Sequence, residues 1–373
     1  MEFIIDKDTF LKSLQKIQGI VEKRTSMPIL SNVLLEATEG ALHLTATDLE
    51  VGMKSLYPAE VTSTGKITVS AKKLYEIVKE LPNHPITFVT KENDWVEISC
   101  GKVQFNIVGL SSDEFPYFPE VKNENLFEIE SHILKSMIEK TSFAICTDET
   151  KYNLNGVFTK VESGSDGSNT LKMIATDGHR LSIASSGLKG TVGPELLKGV
   201  ILPKKGIFEM KKITDEEGGS LLFGFMDNSA VIKRGDSYMV MRLVDGEFPD
   251  YNRVIPVAND RVVAVPREDF THSVRRMAIL SSEKFKGIMM DISSGTIRIS
   301  SSNPELGDAR EELDVSYSGE SFSVRFNARY LLDVLAVAET ERIEMKFRDE
   351  LSPSIVVPEA SESFLAVIMP MRL

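Results

Sequence analysis

Short runs in which apolar and polar residues alternate dominate the chain. They include Ala41-His43-Thr45, Ile67-Val69, Ile86-Phe88-Val89, Val96-Ile98 and Val103-Phe105-Ile107. Each is rich in β-branched or aromatic residues and is separated from the next by turn formers such as Glu39-Gly40, Thr64-Gly65 and Glu92-Asn93-Asp94. This spacing predicts an antiparallel meander and argues against alternating βαβ units. Two stretches break the two-residue rhythm. Phe10, Leu14, Ile17 and Val21 recur at three-to-four residue spacing behind Asp8 or Thr9, which predicts a helix capped by one of those two residues. The segment 71–81 predicts a second helix, stopped by Pro82.

The order then returns. Phe127-Glu128-Ile129-Glu130 reads as a strand, and Ser131 as the cap of a helix carrying Ile133, Leu134, Met137 and Ile138. Val157-Phe158 and Leu171-Met173-Ile174 read as strands around an exposed loop at 164–169, and Pro203 opens a helix reaching Ile213. A third pass brings the strand 261–265, a helix from Arg267 to Met277, the strands Ile297-Ile299 and Phe322-Val324, and a helix at 327–335. Specific landmarks recur as well. Ala46-Thr47-Asp48 reappears 129 positions later as Ala175-Thr176-Asp177, and the Glu-Phe-Pro at 114–116 returns 133 positions later at 247–249. A repeat of this period predicts an α+β protein of three similar two-helix, roughly eight-strand antiparallel domains, at 1–124, 125–257 and 258–373.

The net charge of −12 argues on average against a polyanionic partner. Its distribution reverses that argument. The six helical segments 7–23, 71–81, 131–140, 203–213, 267–276 and 325–338 sum to +9, so the remainder carries −21. Helix propensity favours Glu as much as Lys and does not explain the sign. Lys12, Lys16, Lys72, Lys79, Lys205, Lys212 and Arg329 are sparse and dispersed, as suits weak, salt-sensitive contact with phosphates and no reading of base sequence. Cys100 and Cys146 offer neither a disulfide framework nor metal-ligand spacing. No apolar run approaches membrane-spanning length, and Met1-Glu2-Phe3-Ile4 is no secretory signal, so the expectation is a cytoplasmic protein without cofactor or metal.

Asp177 and His179 flank a turn glycine and could form an acid–base pair. No His-x-x-x-His, Gly-x-Ser-x-Gly or phosphate-loop pattern accompanies them, and Gly190-Thr191-Val192-Gly193 lacks the lysine of a nucleotide loop. Because Asp48 occupies the matching place in the first copy, a turn-stabilising role for Asp177 is expected over catalysis. The Gly178-His179-Arg180-Leu181 that follows belongs to the second copy alone.

The three copies, the basic helices, Ala175-Thr176-Asp177-Gly178-His179-Arg180-Leu181 and the terminal Met369-Pro370-Met371-Arg372-Leu373 together resemble the bacterial sliding-clamp family, the β subunits of DNA polymerase III. The resemblance runs from Phe3 to Leu373 and includes Tyr152-Asn153-Leu154, Phe248-Pro249-Asp250-Tyr251 and Asn303-Pro304-Glu305. It implies a head-to-tail homodimeric ring of six domains, lined with helices around double-stranded DNA. Such a protein is a non-catalytic processivity factor that tethers the replicative polymerase. The alternative is a triplicated protein-interaction scaffold that does not encircle DNA.

The resemblance also implies a pocket that takes linear motifs from polymerases, the clamp loader and repair proteins. Carried over by motif, its walls are Leu154, Thr176, Gly178, His179, Arg180 and Leu181, then Pro249, Arg253, Val254, Leu351 and Pro353, and finally Val367, Met369, Pro370, Met371 and Arg372. For DNA it points to Arg24, Lys72, Lys73, Asp148, Tyr152, Asn153, Lys205, Phe285, Asn327 and Tyr330. Lys151-Tyr152-Asn153 stands where an arginine and two tyrosines can occur in relatives, and Asp148 replaces a neutral residue. For the dimer interface it implies an apolar patch of Phe105, Ile279 and Leu280. Lys73 and Lys102 of one copy would face Glu305, Asp308, Glu311 and Glu312 of the other.

Overall fold

A computed structural model describes residues 1–22, 27–121, 126–165, 167–188, 193–215, 218–257, 259–281 and 287–372. Its strands form four sheets, and every registered strand pair is antiparallel. By density of contacts the chain falls into two compact units. One comprises Met1–His132 with Lys205–Leu243, the other Ile133–Lys204 with Val244–Leu373. That division cuts through the middle copy of the sequence repeat.

The first unit holds a five-stranded sheet in the order Glu60–Ser63, Glu2–Ile5, Ile86–Thr90, Trp95–Cys100, Val103–Val108. Its eight-stranded sheet runs Leu126–Glu130, Ser220–Met226, Ser229–Arg234, Ser237–Arg242, Val51–Pro58, Ala41–Thr47, Asn32–Thr38, Gly65–Ser70. The second unit repeats the plan. Its eight-stranded sheet runs Val200–Pro203, Gly156–Ser163, Asn169–Thr176, Arg180–Leu188, Phe364–Ile368, Ser354–Pro358, Arg342–Phe347, Arg261–Pro266, and a four-stranded sheet runs Gly307–Asp314, Thr296–Asn303, Gly287–Ser293, Phe322–Asn327. In each eight-stranded sheet, strands of one sequence copy meet strands of the next. The first seam pairs Val51–Pro58 with Ser237–Arg242, and the second pairs Arg180–Leu188 with Phe364–Ile368.

The helices follow the apolar spacing. Phe10, Leu14 and Ile17 are fully buried on the helix Lys7–Ile17, which packs against Ala71–Glu80. Phe3 stacks on Phe88 at 4.8 Å and meets the Phe10 ring edge-on. The cap lies earlier than the sequence suggested: Asp6, not Asp8 or Thr9, accepts the Thr9 amide at 3.0 Å. The Asp6 carboxyl is held below its usual value by that amide. Ser131 does not act as a cap, because it is the first residue of the helix Ser131–Ser142 and its buried hydroxyl has no partner among the described residues. Pro203 likewise ends a strand, and the helix begins at Lys204. The short helix Pro194–Lys198 was not anticipated. Counted over the observed bounds, the six long helices carry +8 and the short one is neutral, so the basic bias survives exact boundaries.

Candidate docking site

The Asn169–Thr176 and Arg180–Leu188 strands are joined by a turn built by Asp177. The Asp177 carboxylate accepts the amides of His179 at 2.9 Å and Arg180 at 3.0 Å, and the Thr176 hydroxyl accepts the Gly178 amide at 3.1 Å. Gly178 takes φ +90°, a conformation open to glycine and strained for most other residues. The outcome matches the expectation that Asp177 serves the turn. Its second oxygen takes the Arg180 guanidinium at 3.1 Å.

Arg180 is 8% exposed and fully committed. It bonds Asp333 at 2.6 Å and the Phe143 carbonyl at 2.5 Å, and lies over the Tyr330 ring at 4.5 Å. Burying a guanidinium is tolerable only with such complete pairing. Arg180 therefore ties the turn to Phe143, just past the helix Ser131–Ser142, and to the helix Ala328–Val337. His179 is exposed and stacks along Tyr330 at 6.4 Å. Burial, followed by the Asp177 charge, raises the Tyr330 phenol above its ordinary value.

Beside the turn lies an apolar floor. Ile174, Leu181, Ile183, Tyr251, Ile355 and Val367 form one buried cluster, with Phe158, Phe248 and Val254 packed half-exposed against it. Phe248 stacks flat on Phe158 at 5.0 Å. Leu181, Val254 and Val367, three of the residues that the resemblance carried over, thus lie in one cluster, on a floor whose other members were not among them. The signal was available: Leu171 and Met173 alternate inward, yet Ile174 is apolar too, so both sheet faces need cover.

The terminal residues run along one side. The Met369 amide donates to the His179 carbonyl at 2.9 Å and the Met371 amide to the Arg325 carbonyl at 2.7 Å, with Met371 beside Gly287. Met369, Pro370 and Met371 are half-buried and Arg372 is exposed. The 348–353 loop leads into the strand paired with the one the tail follows, Ser354 facing Ile368, and is shaped by Asp349, which accepts the amides of Leu351 and Ser352. This presents Leu351 at 72% exposure, with Pro353 half-buried. Pro249 is exposed, and Arg253 pairs with Asp250 at 3.2 Å. Leu154 ends a 3-10 turn, is half-buried, and accepts the Cys146 amide at its carbonyl.

The residues assigned to DNA differ in freedom. Lys72 and Lys73 are exposed on the helix Ala71–Glu80 and share Glu76. Tyr152 is 61% exposed, while Asn153 donates to the Glu247 carbonyl at 3.0 Å. Asp148 accepts the Thr150 hydroxyl and amide, which lower its pKa. Lys205 does not extend outward: its ammonium bonds Asp48 and the Ile20 carbonyl. Asn327 caps the helix Ala328–Val337 through the Arg329 amide, and Tyr330 carries Arg180. Arg24 and Phe285 lie outside the described residues.

Two edge strands stand out. Among the described residues Val103–Val108 pairs only with Trp95–Cys100, and it exposes Val103, Phe105 and Val108. Gly307–Asp314, half of whose residues are acidic, pairs only with Thr296–Asn303 among the described residues. Ile279 is 74% exposed and Leu280 half-buried. Lys102, Glu305 and Asp308 are exposed, but Glu311 is held by Arg276 and Glu312 by Arg298, partners that the sequence reading did not foresee.

A turn aspartate locked into structure, a histidine beside an apolar floor and a tail laid along it define a docking protein built from repeated antiparallel domains. The models of the DNA polymerase III beta subunit match throughout: the N-terminal domain at 1–119, the central domain at 128–250 and the C-terminal domain at 252–372. The beta sliding clamp of Pseudomonas aeruginosa is 36% identical over all of both chains, and that of Caulobacter vibrioides 35%. Among solved structures, the Pseudomonas aeruginosa DNA polymerase sliding clamp superposes over the full length of both chains with TM-score 0.91. A sliding clamp from Bartonella birtlesii bound to griselimycin, 32% identical, superposes over both full chains with TM-score 0.94. The chain belongs to the DNA polymerase III beta subunit family, the bacterial sliding clamps, and is a non-catalytic accessory subunit.

Proposed function

We propose that two copies of this chain close head to tail around double-stranded DNA and tether the replicative polymerase. The observation that carries this reading is the charge split: helices at +8 within a chain at −12. A sparse basic lining meets phosphates weakly and without reading sequence, so retention comes from topology and sliding stays free. Three domains at 1–124, 125–257 and 258–373 supply the repeat, a reading supported by family models at nearly the same bounds. The unpaired edges Val103–Val108 and Gly307–Asp314 suit a contact between copies, apolar against acidic with Lys73 and Lys102 at its margin. Closure would remove both edges.

Partners dock by short linear motifs on the floor of Leu181, Val254 and Val367, between the Met369–Arg372 tail and Leu351. Burying one leucine or phenylalanine there is worth about 1.5–3 kcal/mol. Two or three such anchors, less the cost of ordering a peptide, give roughly micromolar affinity, which permits exchange between partners. Methionines adapt to different side chains. The protein acts in the cytoplasm, where DNA replication takes place.

The test is topological. Loaded on nicked circular DNA, the protein stays bound through gel filtration at salt that breaks ionic contacts, and is lost once the circle is linearised. Equal loss from circle and line would leave the scaffold reading.

A further inference from the structure

The first seam copies the second down to single hydrogen bonds. Thr47 and Asp48 stand where Thr176 and Asp177 do: the Leu49 amide donates to the Thr47 hydroxyl at 3.0 Å, and the Glu50 and Val51 amides donate to Asp48 at 2.9 and 2.6 Å. Leu49 adopts φ +78°, the backbone of Gly178. The incoming strand repeats too. Arg242 donates its amide to the Glu50 carbonyl at 2.8 Å, as Met369 does to His179. Val240 pairs with Gly52 as Val367 pairs with Leu181. Pro116 precedes Tyr117-Phe118 where Pro249 precedes Asp250-Tyr251.

This frame encloses a cleft of about 350 Å³. Its lining includes Thr47, Leu49, Glu50, Val51 and Gly52, the counterparts of the five turn residues assigned to the docking pocket of the second seam. Pro116, Val240 and Arg242, counterparts of Pro249, Val367 and Met369, line it as well. A space this size accepts two or three side chains and lies within the range of ligand pockets. Its chemistry has changed while its geometry has not. Glu50 replaces His179 and the exposed Asp227 of the neighbouring turn joins it, so two carboxylates line the cleft against one cation, Arg242, and its charge is net acidic. The second seam instead carries Arg372 and His179, with Arg253 beside them but paired to Asp250. Leu49 at 55% and Tyr117 at 87% exposure add apolar surface beside the opening, and Phe118 roofs Gly52.

We propose that the first-seam cleft is a second peptide-docking site, taking a short extended segment with an apolar anchor flanked by basic residues. The anchor enters between Leu49 and Val240, and the basic side chains meet Glu50 and Asp227. It rests on the docking reading of the second seam only for the choice of a peptide as occupant. One protein would thereby sort partners by charge, with acidic motifs at one seam and basic motifs at the other.

The test uses the full-length protein with methyl-labelled Leu and Val, read by NMR. One probe is a capped six-residue peptide of two leucines, a phenylalanine, two arginines and a serine; the other replaces both arginines with glutamates. The arginine probe is expected to shift Leu49 and Val240, and Glu50→Gln with Asp227→Asn should weaken it at least fivefold. Both substitutions fall on exposed turns, so folding is preserved. Truncation after Ile368 should leave this binding unchanged while abolishing shifts of Leu181 and Val367 by the glutamate probe. The proposal is overturned if the arginine probe moves neither Leu49 nor Val240, or if its binding disappears with the truncation. Should the glutamate probe fail to reach Leu181 and Val367, the second-seam reading fails and the first-seam result stands on its own methyls.

Discussion

The two Ala-Thr-Asp turns share a backbone and differ in what anchors them from below. In the first seam the cation comes from a helix and the anion from the turn: Lys205 reaches Asp48 and the Ile20 carbonyl. In the second the turn supplies Arg180, which reaches its own Asp177, then Asp333 on a helix and the Phe143 carbonyl. Both staples end on a carbonyl just beyond the first helix of a sequence copy. Duplication thus preserved the linkage and exchanged the donor. The exchange matters because a guanidinium can serve two carboxylates and a carbonyl at once, whereas an ammonium presents a compact point charge. It also explains why neither Lys205 nor Arg180 is spare for phosphate.

If Arg180 is the fuller staple, removing it should cost more. Arg180→Ala leaves Asp177, at 17% exposure, with only its backbone amides and Asp333, at 28%, with only the longer Arg329 pair, and empties a buried site. About 3 kcal/mol of stability should therefore disappear in urea unfolding. Lys205→Ala removes an ammonium from Asp48, which is only 7% exposed but keeps the Glu50 and Val51 amides as partners, and the loss should be smaller, about 2 kcal/mol. Equal losses from the two variants would show that donor identity is immaterial to the seams.

The frame was readable in the sequence because it repeats, and the staples were not because they span great separations. Asp48 and Lys205 are 157 positions apart, Arg180 and Asp333 153. No local pattern links such pairs, so Lys205 looked like a cation free for DNA. Helix positions followed from apolar spacing, whereas caps were missed at Asp6 and misassigned at Ser131, since several adjacent residues could accept the same amide. The seams themselves were invisible for another reason. A period of about 130 residues locates copies, but it does not say which strand of one copy will pair with the next. The pocket residues came from the family motif; the floor residues Ile183, Ile355 and Phe158 needed the sheet register to be seen.

A smaller effect separates the turns at their tightest residue. Nothing lies within 4 Å of a Cβ built on Gly178, so Gly178→Ala should cost about 1 kcal/mol purely through its φ of +90°. Leu49 already bears that strain at φ +78°. Leu49→Gly should relieve it and, after glycine's greater entropy loss, stabilise by about 0.5 kcal/mol. Opposite signs in thermal or urea unfolding are the expected result. A loss in both would mean that the Leu49 side chain contributes more to its surroundings than its exposure suggests.

The smallest difference lies in the third wall. The second seam uses the 348–353 loop, held by Asp349, where the first uses the two-residue turn Asp227-Asn228. Hydrogen bonds from the Ser352 hydroxyl and then the Leu351 amide hold the Asp349 carboxyl below its ordinary value. A depressed carboxylate pKa stabilises the loop above the unfolded value, about pH 4, and the contribution is lost as pH falls through the folded value. Asp349 is largely solvated, so the consequence is modest. Between pH 6 and about pH 3.5, affinity of the second-seam probe should fall about twofold more in the native protein than in Asp349→Ala, where the loop is already released. Titrations at both pH values read this directly. Identical pH profiles for the two proteins would place the acid sensitivity elsewhere and leave Leu351 positioned by packing alone.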